Sequence, residues 1–250
     1  MVNSDQTWRK YDKHFYDYAF LKFAKNWKKT KFIYGASFDQ WRLTSEDEKI
    51  AKNLLKDFKG ISIREQGYID LIKKHLGIVP DVVLDPTLLL DKIYYINIIK
   101  NYNKNISSNN KYIFVYTVFN EIKLINFTNY VNKKLNLDIY IFILNTESNV
   151  ENFLYRIYNS KAVITNSYHG TIFSIIFNKP FIVFNDESNA KERLFSLGKL
   201  LGFENRIVNK NENPNYRLLI TPLNINYTLI NLLKLNSINY IKKNLNIKNY

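Results

Sequence analysis

Hydrophobic positions along this chain fall into short apolar runs that alternate with longer segments of helical periodicity. Short apolar runs rich in β-branched and aromatic residues predict strands, and apolar spacings of three and four predict helices. In the first third, strands are predicted at 31–37, 60–64 and 81–84, and helices at 45–58 and 65–76. Ser45 and Glu48 have the spacing of a capping box, and Gly77 suits the left-handed position that ends a helix.

A second series of elements follows a polar stretch at 100–111, whose Asn, Ser and Lys content predicts a linker. Its strands are predicted at 112–117, 138–144, 162–165 and 180–184, and its helices at 126–135, 150–159, 170–178 and 192–201. Alternation without hairpin turns predicts an α/β fold with parallel sheets. The chain therefore divides into a Rossmann-like domain over 1–99, the linker, a second Rossmann-like domain over 112–222 and a helical tail over 223–250.

Composition and charge narrow the function. The 250 residues include 36 Lys and Arg against 22 Asp and Glu, a formal charge of +14, and no Cys. The absence of Cys excludes disulfides, thiolate nucleophiles and Cys-ligated metals. Because the lysines are scattered, the charge favours anionic metabolites or an anionic membrane surface over nucleic acid. No signal peptide or membrane-spanning run is evident, which predicts a cytoplasmic protein. The positive charge adds the prediction of peripheral contact at the inner face of the membrane. The Asp residues do not cluster, so no metal is predicted.

The clearest candidate for chemistry is His169, which follows the strand predicted at 162–165. Ligands of open α/β sheets bind at the carboxyl ends of strands, where the next helix offers free N–H groups to an anion. The alternative is that His169 only caps the helix or packs beside Tyr168. The same turn supplies further candidates for substrate binding, Ser167, Gly170 and Thr171.

Cationic side chains form the second group of candidates. Arg64 lies at the carboxyl end of a predicted strand, where its guanidinium can bind a carboxylate or a phosphate. The alternative for Arg64 is a salt bridge to Glu65 or Asp85. Lys191 and Arg193 follow the last predicted strand and return to the same sheet edge as His169, unless they only begin a solvated helix.

Together these residues resemble the polysaccharide pyruvyl transferase family over nearly the whole chain. The matching segments, in order, are Ser4-Asp5-Gln6-x-Trp8, 34–38, 62–65, 84–90, 163–171 continuing to 178–181, 193–197 and 201–202. The resemblance implies two Rossmann-like domains in an arrangement similar to the GT-B glycosyltransferases. It also implies an enzyme of bacterial surface polysaccharide biosynthesis that moves the pyruvyl group of phosphoenolpyruvate onto two sugar hydroxyls as a ketal.

The resemblance also implies roles for particular residues. Arg64 and His169 match the family's arginine and histidine and are expected to be catalytic. Arg193, or Lys191 in its place, is expected to contact the anionic donor. Asp5 and Gln6 are expected to bind substrate. Phosphoenolpyruvate is then the donor substrate, no cofactor is needed, and the acceptor is a sugar, a nucleotide sugar or a lipid-linked glycan.

One departure from the family concerns the N-terminus. The Ser-Asp-Gln motif begins only three residues after Met1, so the first domain is expected to lack its opening strand and Gly-rich turn. This N-terminus leaves open the alternative of an inactive truncated sugar-binding fragment. A glycosyltransferase with a nucleotide-sugar donor is a second alternative, because a fold does not fix its function. The resemblance also implies that the helical tail crosses back and packs on the first domain. The alternative is that the tail lies only on its own domain.

Overall fold

The computed structural model describes residues 1–2, 5, 7–10, 12, 14–37, 43–102, 112–119, 121–144, 149–185 and 191–247. The chain folds into two compact units, one formed by Met1–Leu89 with Tyr227–Tyr250 and the other by Leu90–Asn226. Each unit contains a parallel sheet, of three strands in the first and five in the second. The α/β fold with Rossmann-like parallel sheets is thus confirmed.

The strands are β1 (Lys31–Ala36), β2 (Phe58–Ile63), β3 (Asp81–Val82), β4 (Tyr112–Thr117), β5 (Asp138–Ile143), β6 (Ala162–Thr165), β7 (Phe181–Phe184) and β8 (Ile207–Val208). The helices of the described residues are α1 (Phe15–Phe20), α2 (Ser45–Leu55), α3 (Ile69–Leu76), α4 (Lys92–Tyr102), α5 (Ile122–Leu135), α6 (Val150–Asn159), α7 (Tyr168–Ile176), α8 (Lys191–Leu201) and α9 (Tyr227–Leu245). Sheet order is β1-β2-β3 in the first unit and β5-β4-β6-β7-β8 in the second.

Helix α2 corrects two predictions. Its capping box uses Thr44 and Asp47 rather than Ser45 and Glu48, because the Thr44 hydroxyl accepts from the Asp47 amide at 3.2 Å and the Asp47 carboxylate accepts from the Thr44 amide at 2.8 Å. The helix predicted to reach residue 58 ends at Leu55, since Phe58 already pairs with β1 as the first residue of β2. Tertiary pairing here overrides the helical periodicity.

Asp47 is also the centre of a buried polar cluster. Its carboxylate accepts hydrogen bonds from the Lys10 ammonium at 2.7 Å and from the Tyr16 hydroxyl, in addition to those from Thr44. Burial acts to raise the pKa of Asp47, but these hydrogen bonds outweigh it and hold the pKa well below its usual range. Burial, together with the hydrogen bond to Asp47, raises the pKa of Tyr16 to about 12.

Several other boundaries differ from the predictions. The helix predicted at 65–76 begins as a short 3-10 turn before α3, and Gly77 ends α3 in the left-handed conformation with φ +72°. Helix α5 begins at Ile122 instead of residue 126. Helix α4, which was not predicted, includes the first residues of the predicted linker. Residues 103–111 lie outside the described residues, so the linker stays a prediction.

Helix α9 belongs to the first unit. The Tyr240 hydroxyl donates to the Ile33 carbonyl of β1 at 2.7 Å, and the Ser237 hydroxyl accepts from the Leu84 amide at 2.9 Å. Tyr240 packs with Phe32 and Tyr34 of β1. A helix from the end of the chain therefore covers one face of the sheet formed near its beginning.

The five-stranded sheet of the second unit is covered on both faces, as parallel sheets require. One face packs on Leu124, Phe127 and Val131 of α5. On the other face, Tyr116 of β4 contacts Phe153 of α6 at a ring-centroid distance of 4.7 Å. None of the helices described is long and apolar enough to cross a bilayer.

Candidate functional site

The turn between β6 and α7 positions His169. Ser167 is the N-cap of α7, and its hydroxyl accepts from the Gly170 amide at 3.2 Å. The Thr165 hydroxyl accepts from the Ser167 amide at 3.0 Å and donates to the Tyr116 carbonyl at 2.7 Å, which ties the turn to β4. The helix predicted from Gly170 therefore begins at Tyr168, and His169 is its second residue.

His169 lies at a partly exposed position between two buried neighbours, Tyr168 and Gly170. Its ring contacts Tyr168 edge-on, with centroids 5.5 Å apart. The helix cap is Ser167, so the alternative in which His169 itself caps α7 is excluded. Packing beside Tyr168 does occur, and it orients the imidazole at the start of the helix.

Gly170 permits the close approach of α7 to the sheet. A Cβ atom at this position would lie 2.6 Å from the Thr165 Oγ1 atom and 3.1 Å from Tyr116 Cδ1. Thr171 adds a hydrogen bond from its hydroxyl to the Ser167 carbonyl at 3.1 Å. Burial raises the pKa of Tyr116, and the Ser167 side chain acts on it in the opposite direction. Hydrogen bonds from Thr165 and within the first turn of α7 therefore fix the Ser-Tyr-His-Gly-Thr segment.

Asn166 holds the neighbouring loop, a role that the sequence did not indicate. Its side-chain amide donates to the Thr117 hydroxyl and to the Phe119 carbonyl, both at 3.0 Å, and accepts from the Val118 amide at 2.9 Å. The loop after β4 is therefore fixed to the end of β6. Asn166 thereby fixes the backbone at the carboxyl edge of the sheet beside α7.

Asn185 is a second residue that sequence reasoning missed. It directly follows β7, and continuing the register that pairs Thr165 with Val183 brings Asn185 level with Ser167. The residue is only 3% exposed, yet within the described part of the chain neither polar atom of its side chain has a hydrogen-bond partner. Leaving such a group unpaired costs about 1–3 kcal/mol, which makes Asn185 a candidate ligand-binding residue. The available signal was an Asn at the end of an entirely apolar strand.

Helix α8 brings Arg193 to the same group of residues. Its buried guanidinium lies 5.5 Å from the ring centroid of Tyr168, the residue before His169. Lys191 is the first residue of α8, and its side chain lies outside the described part of the structure. The second unit thus combines an N-cap turn, an imidazole, a buried amide and a guanidinium.

Arg64 lies in the first unit, directly after β2, and its side chain is 1% exposed. The guanidinium binds the Asp85 carboxylate through Nη1 and the Asp5 carboxylate through Nη2 at 3.1 Å. Nε lies 3.7 Å from the Glu65 carboxylate. Carboxylates therefore surround Arg64, and both salt bridges that the sequence left open, to Asp85 and to Glu65, are present.

The N-terminal motif follows the edge of β1. Val2 forms a parallel bridge with Ile33, and the Trp8 amide donates to the Ser37 carbonyl at 3.2 Å. Between them, the Asp5 side chain is 55% exposed while it contacts Arg64. Gln6 lies outside the described residues. The structure thus joins Asp5 and Arg64 at the carboxyl end of the first sheet.

Within the described ranges, no three His, Asp or Glu side chains are close enough to form a metal site.

Comparison with known protein families shows to which family the chain is related. The family model described as polysaccharide pyruvyl transferase matches residues 2–188. The chain belongs to this family. The recognition from sequence motifs is thereby confirmed, and the match includes Asp5, Arg64, His169 and Asn185. It ends before Arg193, whose role as a donor contact stays a prediction. No curated protein matches the chain.

Proposed function

We propose that the chain transfers the pyruvyl group of phosphoenolpyruvate to two hydroxyls of a sugar in the biosynthesis of a bacterial surface polysaccharide. The methylene carbon of the donor takes up a proton and becomes a methyl group. One sugar hydroxyl adds to the neighbouring carbon, and the second displaces phosphate to close the ketal. Of the two hydroxyl protons, one replaces the proton given to carbon and the other leaves with phosphate, so no cofactor, oxidant or reductant is required.

The observation that carries this proposal is the position of His169 in a chain of this family. An imidazole can be protonated near neutral pH, which suits it to give a proton to the methylene carbon. Its neighbours Tyr168 and Gly170 are buried, so His169 offers the accessible side chain of the first helical turn. We assign it the role of general acid.

The donor is an anion with a carboxylate and a phosphate. The first-turn N–H groups of α7 and its positive dipole end favour negative charge at that place. Arg193, or Lys191 in its stead, supplies a full positive charge, and the buried Asn185 side chain supplies an N–H donor that lacks a partner within the described residues. Ser167 and Thr171 keep the turn in place.

Arg64 enters the proposal through the carboxylates around it. Because its guanidinium already binds Asp85 and Asp5, it fixes the half-exposed Asp5 carboxylate at the sheet edge. A fixed carboxylate accepts hydrogen bonds from sugar hydroxyls, so we assign Asp5, with Gln6 beside it in sequence, to the acceptor. Arg64 then affects catalysis by positioning. A sugar, nucleotide-sugar or lipid-linked acceptor and a cytoplasmic location fit this chemistry.

The test measures ketal formation by proton NMR and phosphate release with phosphoenolpyruvate and a panel of acceptors. His169→Ala is expected to lower turnover by about 10²–10⁴-fold, the usual contribution of a general acid. His75→Ala is the matched control, since His75 lies in α3 and binds Glu48 at 2.7 Å. Equal turnover of wild type and His169→Ala would contradict the assignment.

Donor binding is measured separately by melting temperature. Phosphoenolpyruvate should stabilise the wild type, since a ligand that binds only the folded state raises its melting temperature. The shift should be smaller in Asn185→Ala, because this variant removes a side-chain N–H donor assigned to phosphoenolpyruvate. Stabilisation by nucleotide sugars without stabilisation by phosphoenolpyruvate would favour the glycosyltransferase, and no stabilisation by either would favour the inactive fragment.

A further inference from the structure

The segment after α1 presents two large aromatic side chains to solvent. Phe23 and Trp27 are 60% and 59% exposed, and their rings meet edge to face with centroids 5.6 Å apart. We call residues 21–30 the aromatic loop. The two rings form one compact apolar surface on the outside of the first unit.

Positive charge surrounds this apolar surface. Four lysines of the aromatic loop are exposed: Lys22, Lys25, Lys28 and Lys29. The sequence from 21 to 30 contains no Asp or Glu. The ammonium group of Lys22 lies 5.9 Å from the ring centroid of Tyr16 in α1. The loop therefore carries a local excess of positive charge beside its aromatic pair.

Buried contacts hold the loop in this shape. The Lys31 ammonium donates to the carbonyls of Ala24 and Lys25 at 3.1 and 3.2 Å, while Asp57 balances its charge at 3.4 Å. Ala24 is buried, and its carbonyl also accepts from the Trp27 amide at 3.0 Å. The backbone is thus tied to the unit while Phe23 and Trp27 point away from its core.

We propose that the aromatic loop docks the protein on an anionic lipid bilayer, with Phe23 and Trp27 entering the headgroup region. Aromatic rings, Trp above all, favour this interface because one part of the side chain is apolar and another can meet water. Lysines bury their stems along apolar surface while their ammonium groups remain at the phosphates. Each lysine near an anionic surface also adds electrostatic attraction.

The arrangement favours a bilayer over nucleic acid. Proteins that bind single strands place successive aromatic rings along a basic groove so that each ring stacks on a base. Here Phe23 and Trp27 pack against each other at an interplanar angle of 82° and form one apolar protrusion, instead of a row of rings on which bases could stack. This proposal is independent of the proposed reaction, because it requires no substrate.

The first test compares cosedimentation with vesicles of phosphatidylcholine alone and vesicles that also contain phosphatidylglycerol. Binding is expected only to the anionic vesicles. Lys25→Gln/Lys28→Gln/Lys29→Gln should weaken it roughly 100-fold, at about 1 kcal/mol for each lysine. The control Lys133→Gln/Lys161→Gln/Lys199→Gln removes the same charge from exposed positions of the second unit and should bind within a few-fold of wild type. Equal loss in both triple variants, or equal binding to both vesicles, would overturn the proposal.

The second test asks whether the rings enter the bilayer. Lipids with brominated acyl chains should quench the fluorescence of the wild type, and Trp27→Phe should lose this quenching while it keeps most of the binding. Phe23→Ser/Trp27→Ser should bind at least ten-fold more weakly, whereas the exposed pair Ile93→Ser/Ile122→Ser should match wild type. Unchanged quenching in Trp27→Phe would refute insertion. Binding of an oligonucleotide that depends on Phe23 and Trp27, without binding to vesicles, would replace the bilayer by nucleic acid.

Discussion

Replacing Gly170 by alanine tests whether the close approach of α7 to the sheet positions the candidate active site. The added Cβ atom would lie 2.6 Å from Thr165 Oγ1, which is about 0.8 Å short of ordinary contact. Thr165 cannot turn away freely, because its hydroxyl bonds both the Tyr116 carbonyl and the Ser167 amide. The variant must therefore shift the start of α7 or break these hydrogen bonds.

Both responses destabilise the second unit. Overpacking a tight site costs about 1–3 kcal/mol, and losing the two buried hydrogen bonds costs about 1 kcal/mol each. The higher helix propensity of alanine returns up to about 1 kcal/mol. We therefore expect Gly170→Ala to lower the free energy of unfolding by about 1–2 kcal/mol. Displacing His169 by a few tenths of an ångström should also lower turnover about 10-fold or more, since a 1 Å misplacement can cost about 10².

Urea denaturation and the ketal assay measure the two effects. Gly198→Ala in α8 is the matched control, because its close contact, at 2.7 Å, is with the end of the flexible Ile207 side chain, and the Phe203 ring lies at an ordinary 3.5 Å. It should be as stable as wild type or more so. In a Thr165→Ala background the nearest obstructing atom is absent and Tyr116 Cδ1 at 3.1 Å remains, so adding Gly170→Ala should cost less than it does in the wild type.

Stability of Gly170→Ala equal to that of Gly198→Ala, or strict additivity with Thr165→Ala, would refute the role of the close contact. If Gly170→Ala had normal stability but lost turnover, the steric argument would be wrong, although turnover would still depend on residue 170. Lost stability with normal turnover would instead separate the packing of α7 from the chemistry of His169.

Two further predictions concern stability. Asp47→Asn should lower the free energy of unfolding of the first unit at pH 7, and denaturation below about pH 4 should show a smaller difference from wild type. The lowered pKa of Asp47 stabilises the fold above the pKa of the unfolded chain, and this stability is lost as the folded carboxylate is protonated. A difference that does not change with pH would contradict this. Truncation after Pro222 removes α9 and should lower solubility and increase amide exchange in β1, with exchange changes confined to residues after 100 as the opposing result.

Sequence periodicity predicted most of the fold because the strands of the second unit are almost entirely apolar. β4, β6 and β7 are recognisable as runs such as Phe181–Phe184, and the long helices between them are regular. The predictions were wrong where strand pairing sets the end of a helix, as at Phe58. They also missed elements too short to show a hydrophobic period, such as β8. Helix α4 was missed because its exposed face carries Ile93, Tyr94 and Ile98, which blurs the amphipathic pattern.

The candidate site was only partly accessible to the same reasoning. His169 and Ser167 could be found because a strand, a polar turn and a helix follow one another in sequence. The contact between Arg64 and Asp5 could not, since it depends on how the N-terminal segment runs along β1. In the sequence, Asn185 stands out only as an Asn at the end of an apolar strand. The lack of hydrogen-bond partners for its buried side-chain amide, within the described part of the chain, is visible in the structure alone.

The return of α9 to the first unit affects how this chain folds on the ribosome. Residues Met1–Leu89 emerge first, but the helix that covers Phe32 and Tyr34 emerges only after residues 90–226 have been made. At ordinary rates of translation this interval lasts roughly 10–30 s, during which an apolar sheet face lacks its cover. The first unit therefore completes its folding last although it is synthesised first, and the nascent chain is a natural client for chaperones during that interval.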